Sequence, residues 1–329
     1  MLKKLKSLEA ITDYAYFSYP PATFVLIPEK LKISVITPSF NSGEYLEDAI
    51  QSVLIQQYPS FEHIVVDGGS TDGTMDILRK YNHITWISEP DKGQSDAMNK
   101  GFKMATGDII VYLNADDYFL PGAFNRVIPY FDAGAEFVVG NIRVDKNGTS
   151  SWLNNPKVTH DEMLRHWENN AFCVNPVGYF YRREVQENGP GFNLENHFAM
   201  DLEFLLESSL KYQFTKIEET EPLGVFRYHE KTKTAQNNID IYDTFSPESF
   251  AFIDKFLQLK SPEFVKGYNR KRSKGFQKRI DKYLNKNKMP HVLTGFSKRR
   301  QQWVNKLKDF ARSHEKMKIV REYFKRKFQ

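Results

Sequence analysis

Two hydrophobic periods alternate between residues 31 and 112 of the chain. Short runs rich in β-branched residues, such as "ISVIT" and "HIVV", end at Pro, Gly or Asp, which is typical of buried strands that enter loops. Between these runs lie segments with apolar residues three and four positions apart, the period of an amphipathic helix. Strands and helices that alternate across short loops predict an α/β fold, in which helices flank a mixed, mostly parallel sheet.

Polar loops follow three of the predicted strands, at Thr37–Asn41, Asp67–Ser70 and Asn114–Asp117. The carboxyl ends of parallel strands meet at one edge of a sheet, and ligands bind at that edge in open α/β folds. We therefore expect the three loops to form one binding rim.

The pattern changes beyond residue 120. The segment "PVGYFYRREV" is predicted to be a strand that enters a helix, and the chain beyond about residue 240 is predicted to be helical and cationic. Helices are predicted near 121–131, 159–168 and 198–212, and strands near 136–145 and in 221–234, where the strand ends in a basic loop.

Composition narrows the class of protein. A chain of 329 residues with 40% hydrophobic residues is long enough to bury a full core. Its single cysteine, Cys173, excludes a disulfide framework and fits a reducing compartment. We expect no membrane span, because no run approaches the roughly 18 apolar residues that one requires. The N-terminus also lacks the features of a signal peptide, so secretion is not expected.

The net charge of +5 conceals a strong division along the chain. Residues 255–329 carry 24 Lys and Arg against 5 Asp and Glu, whereas residues 1–254 carry 22 against 36. A basic terminal segment on an acidic body indicates an anionic partner, such as a membrane surface or a phosphorylated lipid. A solvated helical appendage or an oligomer interface would explain the same charge. Nucleic acid is not expected, because no base-reading module accompanies the basic residues.

Adjacent carboxylates, Asp116 and Asp117, follow a predicted strand in "LNADD". Two such acids repel one another unless they are solvated or bridged by a cation, and their oxygens suit Mg²⁺ or Mn²⁺, although a helix cap is an alternative. In an extended chain Asn114 and Asp116 point to one side and Asp117 to the other. The loop "DGGSTDGT" allows close approach of a ligand or is an ordinary turn. It lacks the G-x-G-x-x-G spacing of nicotinamide-binding folds.

Taken together, the motifs resemble those of a known family. "ISVITPSFN", "VVDGGSTDGT", "SEPDKGQSDAMNKG", "ATGDIIVYLNADD" and "FAMDLEF" occur in the order and approximate spacing of family 2 glycosyltransferases with a GT-A fold. The resemblance covers residues 31–234. It implies a GT-A domain at 31–240, made of a nucleotide-sugar half (about 31–120) and an acceptor half (about 121–240). An N-terminal extension at 1–30 and a basic helical region at 241–329 would flank this domain.

The resemblance also implies roles for individual residues. The family's Asp-x-Asp motif, which contacts the ribose and holds a divalent ion, here reads Asn114-Ala115-Asp116. Candidates for binding the nucleotide-sugar are Pro38, Phe40, Asn41, Asp67, Ser70, Asp91, Gln94, Asn114 and Arg227, and candidates for holding Mn²⁺ or Mg²⁺ are Asp116, Asp117 and His229.

The catalytic base implied by the resemblance is Asp201, with Glu203 and Glu195 as alternatives. The aromatic residues Tyr179 and Tyr181 could stack on acceptor sugars or belong to the core.

These roles imply inverting transfer of one sugar from a nucleotide-diphosphate sugar to a saccharide or polyprenyl-linked acceptor, in glycan or cell-surface polysaccharide assembly. Family members that build long polymers usually carry transmembrane helices and a Gln-x-x-Arg-Trp motif, neither of which occurs here. The expected location is the cytoplasm, or the inner face of the cell membrane through residues 255–329. A sugar nucleotidyltransferase and a degenerate nucleotide-sugar-binding protein are the alternatives.

Overall fold

The computed structural model of the protein describes residues 30–236, except positions 147, 167, 169, 190 and 198, and residues 247–271. The predicted extension at 1–30 lies outside the described residues apart from Lys30, and so does the basic region from residue 272 onwards. The expected contact of that region with an anionic membrane therefore stays a prediction.

Strands and helices alternate along the described chain. The strands are β1 (Ile33–Ser39), β2 (Phe61–Asp67), β3 (Ile84–Ser88), β4 (Ile109–Tyr112), β5 (Tyr118–Phe119), β6 (Phe137–Val139), β7 (Ile142–Lys146), β8 (Ser150–Asn154), β9 (Tyr179–Arg182), β10 (Phe214–Lys216) and β11 (Gly224–Tyr228). The helices are α1 (Leu46–Leu54), α2 (Thr74–Lys80), α3 (Gln94–Met104), α4 (Ala123–Asp132), α5 (His160–Met163), α6 (Arg183–Glu187), α7 (Met200–Ser208), α8 (Lys233–Gln236) and α9 (Pro247–Leu257), with a 3₁₀ turn at Pro176–Gly178.

A seven-stranded sheet in the order β10-β6-β9-β4-β1-β2-β3 forms the centre of the fold. β1 pairs in parallel with β2 and β4, β2 with β3, and β6 with β10, whereas β9 runs antiparallel between β4 and β6. Ser39 lies opposite Asp67, and Asp67 lies opposite Ser88, so three strands end together at one rim. The predicted α/β fold with a mixed, mostly parallel sheet is confirmed.

A second sheet, in the order β5-β11-β7-β8, lies beside this rim. The strands predicted near 136–145 are β6 and β7, which belong to different sheets and separate at Gly140. A Cβ atom at Gly140 would lie only 2.5 Å from Cδ1 of Leu223, so the backbone there passes close to another segment. β11 runs antiparallel to β5, with Val225 opposite Tyr118. Residues after Val225 therefore lie beside the acids that precede Tyr118.

The predicted helices are present with adjusted ends. α1 buries Leu46, Ala49, Ile50 and Val53 as its periodicity predicts, but Leu54 is 41% exposed. The helix predicted near 159–168 is only the single turn α5, and the one predicted for 198–212 is α7.

The start of the basic region belongs to the folded body. Ile253 and Phe256 of α9 are fully buried in the main core. Lys255 pairs with Glu207 of α7 at 2.5 Å, and Lys260 pairs with Asp161 of α5 at 2.7 Å. Among the described helices, none has the length and apolar character needed to cross a bilayer.

Close packing of α3 on the central sheet requires a glycine. A Cβ atom at Gly101 would lie 2.3 Å from Cγ2 of Ile36 in β1 and 3.3 Å from Cγ2 of Val66 in β2. Gly101→Ala should therefore lower the free energy of unfolding by about 1–3 kcal/mol, because the added methyl group overpacks a dense interior.

Gly267, in the helix at 262–271, is the matched control, since a Cβ atom there meets nothing within 4 Å. Gly267→Ala should stabilise the protein by up to about 1 kcal/mol through helix propensity. Urea unfolding of both variants checks the sign, and stabilisation by Gly101→Ala would contradict the proposed packing.

Candidate active site

The loops after β1 and β2 are joined at the rim by hydrogen bonds from Asn41. Its N–H donates to Oγ of Ser70 at 2.7 Å, and its Oδ1 accepts from the N–H of Thr71 at 2.9 Å. Asn41 has a φ of +50°, in the left-handed region that asparagine tolerates better than most residues. These two predicted binding loops therefore form one connected structure.

Asp67 holds the second loop in place. Its Oδ2 accepts hydrogen bonds from the N–H groups of Gly69 and Ser70 at 3.1 and 2.9 Å, and from Oγ of Ser88 at 2.6 Å. Ser70 Oγ donates to Oδ1 of the same carboxylate, which is completely buried. The structure thus gives Asp67 a loop-organising position, and its expected contact with a base or ribose stays a prediction.

Phe40 and Asp91 lie close together over Gly68 at the rim. Phe40 is 63% exposed, which is unusual for a phenylalanine. A Cβ atom at Gly68 would lie 2.6 Å from Oδ2 of Asp91 and 3.3 Å from Cδ2 of Phe40, so both side chains pack directly on this glycine. An exposed ring beside a carboxylate suits a planar, hydrogen-bonding ligand such as a nucleobase. Pro38, also predicted to bind the nucleotide, is buried at the end of β1.

The acid loop is organised around the buried carboxylate of Asp117. Its Oδ2 accepts from Nδ2 of Asn175 at 2.8 Å and from Nδ2 of Asn114 at 3.0 Å, and its Oδ1 accepts from the N–H of Arg227 at 2.9 Å. Burial and the neighbouring Asp116 raise the pKa of Asp117 well above its ordinary value, and these donors oppose the rise. The carboxylate of Asp117 faces the interior and binds protein donors, and its predicted role as a metal ligand stays a prediction.

The amide of Asn114 connects this carboxylate to α3. While its Nδ2 donates to Asp117, its Oδ1 accepts from Nε2 of Gln94 at 2.8 Å. An aspartate at position 114 could not donate and would place a further negative charge beside two acids. The structure therefore explains why an amide occupies this position of the motif.

Asp116 points to the opposite side and meets His229, which follows β11. Oδ2 of Asp116 lies 3.1 Å from Nε2 of His229, although the residues are 113 positions apart in the sequence. The two side chains are only 29% and 15% exposed. Nδ1 of His229 is buried and has no hydrogen-bond partner within the described part of the chain.

This pair fits two adjacent ligands of a divalent cation. Metal–ligand bonds of about 2.1 Å at a right angle separate two donor atoms by about 3.0 Å, close to the distance between Asp116 and His229. No group of three or more His, Cys, Asp or Glu side chains that could hold a metal occurs among the described residues. The chain therefore offers a two-ligand site, which a bound diphosphate would complete with its own oxygens.

Arg227, predicted to bind the nucleotide-sugar, contacts several protein groups in the structure. Its Nη1 pairs with Oδ2 of Asp48 at 2.8 Å. Its guanidinium carbon lies 5.4 Å from the ring centre of Tyr45 and 4.7 Å from that of Tyr118. The side chain is thus held by protein groups on several sides, as a structural part of the site.

Asp201 lies in the first turn of α7 and is partly exposed. Burial raises its pKa to about 6, while the hydrogen bond from Tyr179 and the charge of Lys233 lower it. The hydroxyl of Tyr179 donates to Oδ1 of Asp201 at 3.0 Å, so Oδ2 is available to another partner. A carboxyl group with a pKa near neutrality is suited to accept a proton at physiological pH.

The alternative bases and stacking residues lie elsewhere. Glu203 is 9% exposed and accepts from Nδ2 of Asn196 at 2.8 Å, which fixes the preceding loop. Glu195 is exposed. Tyr179 and Tyr181 are both completely buried, which favours the core over the stacking interpretation.

Several residues of the site were not identified from the sequence. They are Asn175, which binds Asp117, and Tyr45, Asp48 and Tyr118, which surround Arg227. Tyr118 directly follows the acids, a position that could have drawn attention to it. The other three carry no motif, because their roles arise only from contacts between distant segments.

Known proteins resemble this chain in sequence and in fold. The profile described as glycosyl transferase family 2 matches residues 34–189. An uncharacterized glycosyltransferase of Nostoc sp. is 34% identical over 48% of this chain and 52% of its own length. TuaG of Bacillus subtilis, named as a teichuronic acid biosynthesis glycosyltransferase, is 43% identical over 26% of this chain and 36% of its own length. The match thus spans about half or less of these relatives.

Two solved structures share the fold. S. aureus TarS (residues 1–349) in complex with UDP-GlcNAc has a TM-score of 0.57 and 20% identity, over 86% of this chain and 81% of that one. The mannosyltransferase PcManGT of Pyrobaculum calidifontis, in complex with GDP-Man and Mn²⁺, has a TM-score of 0.54 and 16% identity. The match covers 90% of this chain and 85% of that one. The fold is of the GT-A type, and residues 34–189 of the chain are similar to glycosyl transferase family 2.

Proposed function

We propose that the protein is an inverting glycosyltransferase that moves one sugar from a nucleoside-diphosphate sugar to a saccharide or lipid-linked acceptor in cell-surface polysaccharide assembly. The observation that carries the proposal is the meeting of Asp116 and His229 at 3.1 Å, in the loop after β4 at the rim that also presents the exposed ring of Phe40. The ligands of TarS and PcManGT, both nucleotide-sugars, support the same class of donor.

Each part of the site has a chemical task in this proposal. The exposed ring of Phe40 and the carboxylate of Asp91 bind the base of the donor, and Asp116 and His229 hold a divalent cation, Mn²⁺ or Mg²⁺. When bound, this ion supplies positive charge that stabilises the departing nucleoside diphosphate. Asp201 accepts the proton of the acceptor hydroxyl, whose oxygen then attacks the anomeric carbon directly. Direct attack inverts the configuration of the sugar.

The proposal also includes the acceptor and the location of the protein in the cell. The name of TuaG supports cell-surface polysaccharide as the product. Contact of residues 255–329 with an anionic membrane, and with it action at the inner face of the cell membrane, is supported by the charge of that segment.

Asp116→Asn should weaken Mn²⁺ binding in the presence of a nucleoside diphosphate and lower turnover at least about 100-fold, because one of two protein ligands loses its charge. Isothermal titration with Mn²⁺ and UDP or GDP, followed by an assay of released nucleotide, measures both effects. Asp76→Asn is the control, since Asp76 is exposed and paired only with Arg79 on the surface.

The released nucleotide also distinguishes the enzyme classes. A nucleoside diphosphate supports glycosyl transfer, whereas pyrophosphate would identify a nucleotidyltransferase. Unchanged Mn²⁺ binding in Asp116→Asn would contradict the assigned metal site.

Asp201→Asn should abolish transfer while donor binding persists, because the amide cannot accept the proton. Glu195→Gln is the control, since Glu195 is exposed and outside the proposed chemistry. Single-turnover transfer and donor titration test both variants. Retained transfer in Asp201→Asn would exclude this residue as the base.

The same substitution should stabilise the protein at about pH 8. The pKa of Asp201 is about 6 in the folded protein and 3.8 for a free side chain. The stability that the protonated side chain contributes is therefore fully present below pH 3.8 and is lost as the pH rises through about 6. An ionised Asp201 therefore costs at most roughly 3 kcal/mol, which the neutral amide avoids. Thermal unfolding should show a gain for Asp201→Asn at about pH 8 that diminishes towards about pH 4.5.

In the wild-type protein the acidic limb of the kcat/KM profile is expected at about pH 6. Tyr179→Phe should move this limb to higher pH. The tyrosine hydroxyl lowers the pKa of Asp201 by donating to the ionised carboxylate, and phenylalanine cannot donate. A complete pH profile measures the shift. Tyr181→Phe is the control, because its hydroxyl donates to Gln186, and an unmoved limb in Tyr179→Phe would contradict the assigned hydrogen bond.

A further inference from the structure

One face of the chain at residues 227–231 contacts the start of α1 through every second residue. Arg227 pairs with Asp48 at 2.8 Å, the ring centres of His229 and Tyr45 are 4.5 Å apart, and Nζ of Lys231 lies 2.6 Å from Oε2 of Glu44. Arg227 and His229 point to one side at the end of β11, as alternate residues of an extended chain do, and Lys231 follows in a turn. We call this row of contacts the seam.

The members of this seam differ in exposure and therefore in strength. Lys231 and Glu44 are 72% and 55% exposed, and an ion pair of that kind contributes little to stability. Arg227 is only 19% exposed and lies between the rings of Tyr45 and Tyr118 while it pairs with Asp48. Cation–π contacts of a partly desolvated arginine are stronger than exposed ones, so Arg227 fixes the Tyr45 ring.

His229 lacks the contact that usually orients a metal-binding imidazole. Such a histidine normally donates its second ring N–H to a carboxylate, a carbonyl or water, which sets the orientation of the ring. Nδ1 of His229 is buried and finds no protein partner among the described residues. The remaining ring contact is with Tyr45, whose plane is tilted by 33° to the imidazole.

We propose that Tyr45, held by Arg227 and Asp48, is a positioning residue that aims Nε2 of His229 towards the cation site. Packing against the tilted tyrosine ring takes the place of the usual hydrogen bond from the Nδ1–H group. The backbone of the same segment is tied to Asp117 by the N–H of Arg227. The seam thus fixes both the backbone position of His229 and the orientation of its ring relative to Asp116. This inference rests on the proposed role of His229 as a metal ligand.

The test compares Tyr45→Leu with Tyr45→Phe in the full-length protein. Electron paramagnetic resonance of free Mn²⁺, in parallel series with UDP and with GDP, measures the affinity for the metal. Tyr45→Leu should bind Mn²⁺ about 10–100-fold more weakly, as is usual when a group that orients a metal ligand is lost. Tyr45→Phe, which keeps the ring, should stay within about twofold of the wild type. Thermal unfolding without metal verifies that both variants are folded.

A second set of variants separates positioning from general damage. In a His229→Ala background, Tyr45→Leu should cause no further loss of Mn²⁺ affinity, because its effect passes through His229. A full additional loss in that background, or wild-type affinity in Tyr45→Leu itself, overturns the inference while leaving the proposed function intact. Absence of Mn²⁺ binding by the wild-type protein overturns the proposed metal site as well.

Discussion

The arrangement of the site depends on the buried carboxylate of Asp117. Removing a carboxylate from water is costly unless it accepts several hydrogen bonds. Here the donors come from three parts of the fold: the amide of Asn114 after β4, the amide of Asn175 before the 3₁₀ turn, and the backbone N–H of Arg227 in β11. Because these hydrogen bonds to Asp117 come from both sides, they connect the second sheet to the rim of the first.

That connection determines the chemistry of the neighbouring residues. With Asp117 turned inward, Asp116 necessarily faces the other side of the loop, where His229 approaches it. The amide at position 114 belongs to the same network, because it donates to Asp117 and accepts from Gln94. The departure from an Asp-x-Asp motif is therefore compatible with an intact site and gives no indication of functional decay.

The sequence alone predicted the features that depend on residues close to one another in the chain. Periods of two and of 3.6 residues identified the strands and helices of the first sheet, and the rule for parallel sheets placed the three polar loops at one rim. The same period of two separated Asp116 from Asp117, but it could not reveal which side of the loop is buried. That depends on β11, which pairs with β5 more than 100 positions earlier in the chain.

The positions of Arg227 and Asp67 could not be predicted for a related reason. Charged groups near a nucleotide-type loop are natural candidates for ligand contacts, yet Arg227 is held between Tyr45 and Tyr118, and Asp67 accepts hydrogen bonds from its own loop. A sequence indicates that a polar residue lies near a site, but the identity of its partner depends on packing between segments.

A crystal structure of the protein with Mn²⁺ and a nucleoside diphosphate would test the central claim most directly. The account predicts that the ion binds Asp116 and Nε2 of His229, while Asp117 keeps its bonds to Asn114, Asn175 and the N–H of Arg227. An ion coordinated by Asp117, or one bound without His229, would contradict it.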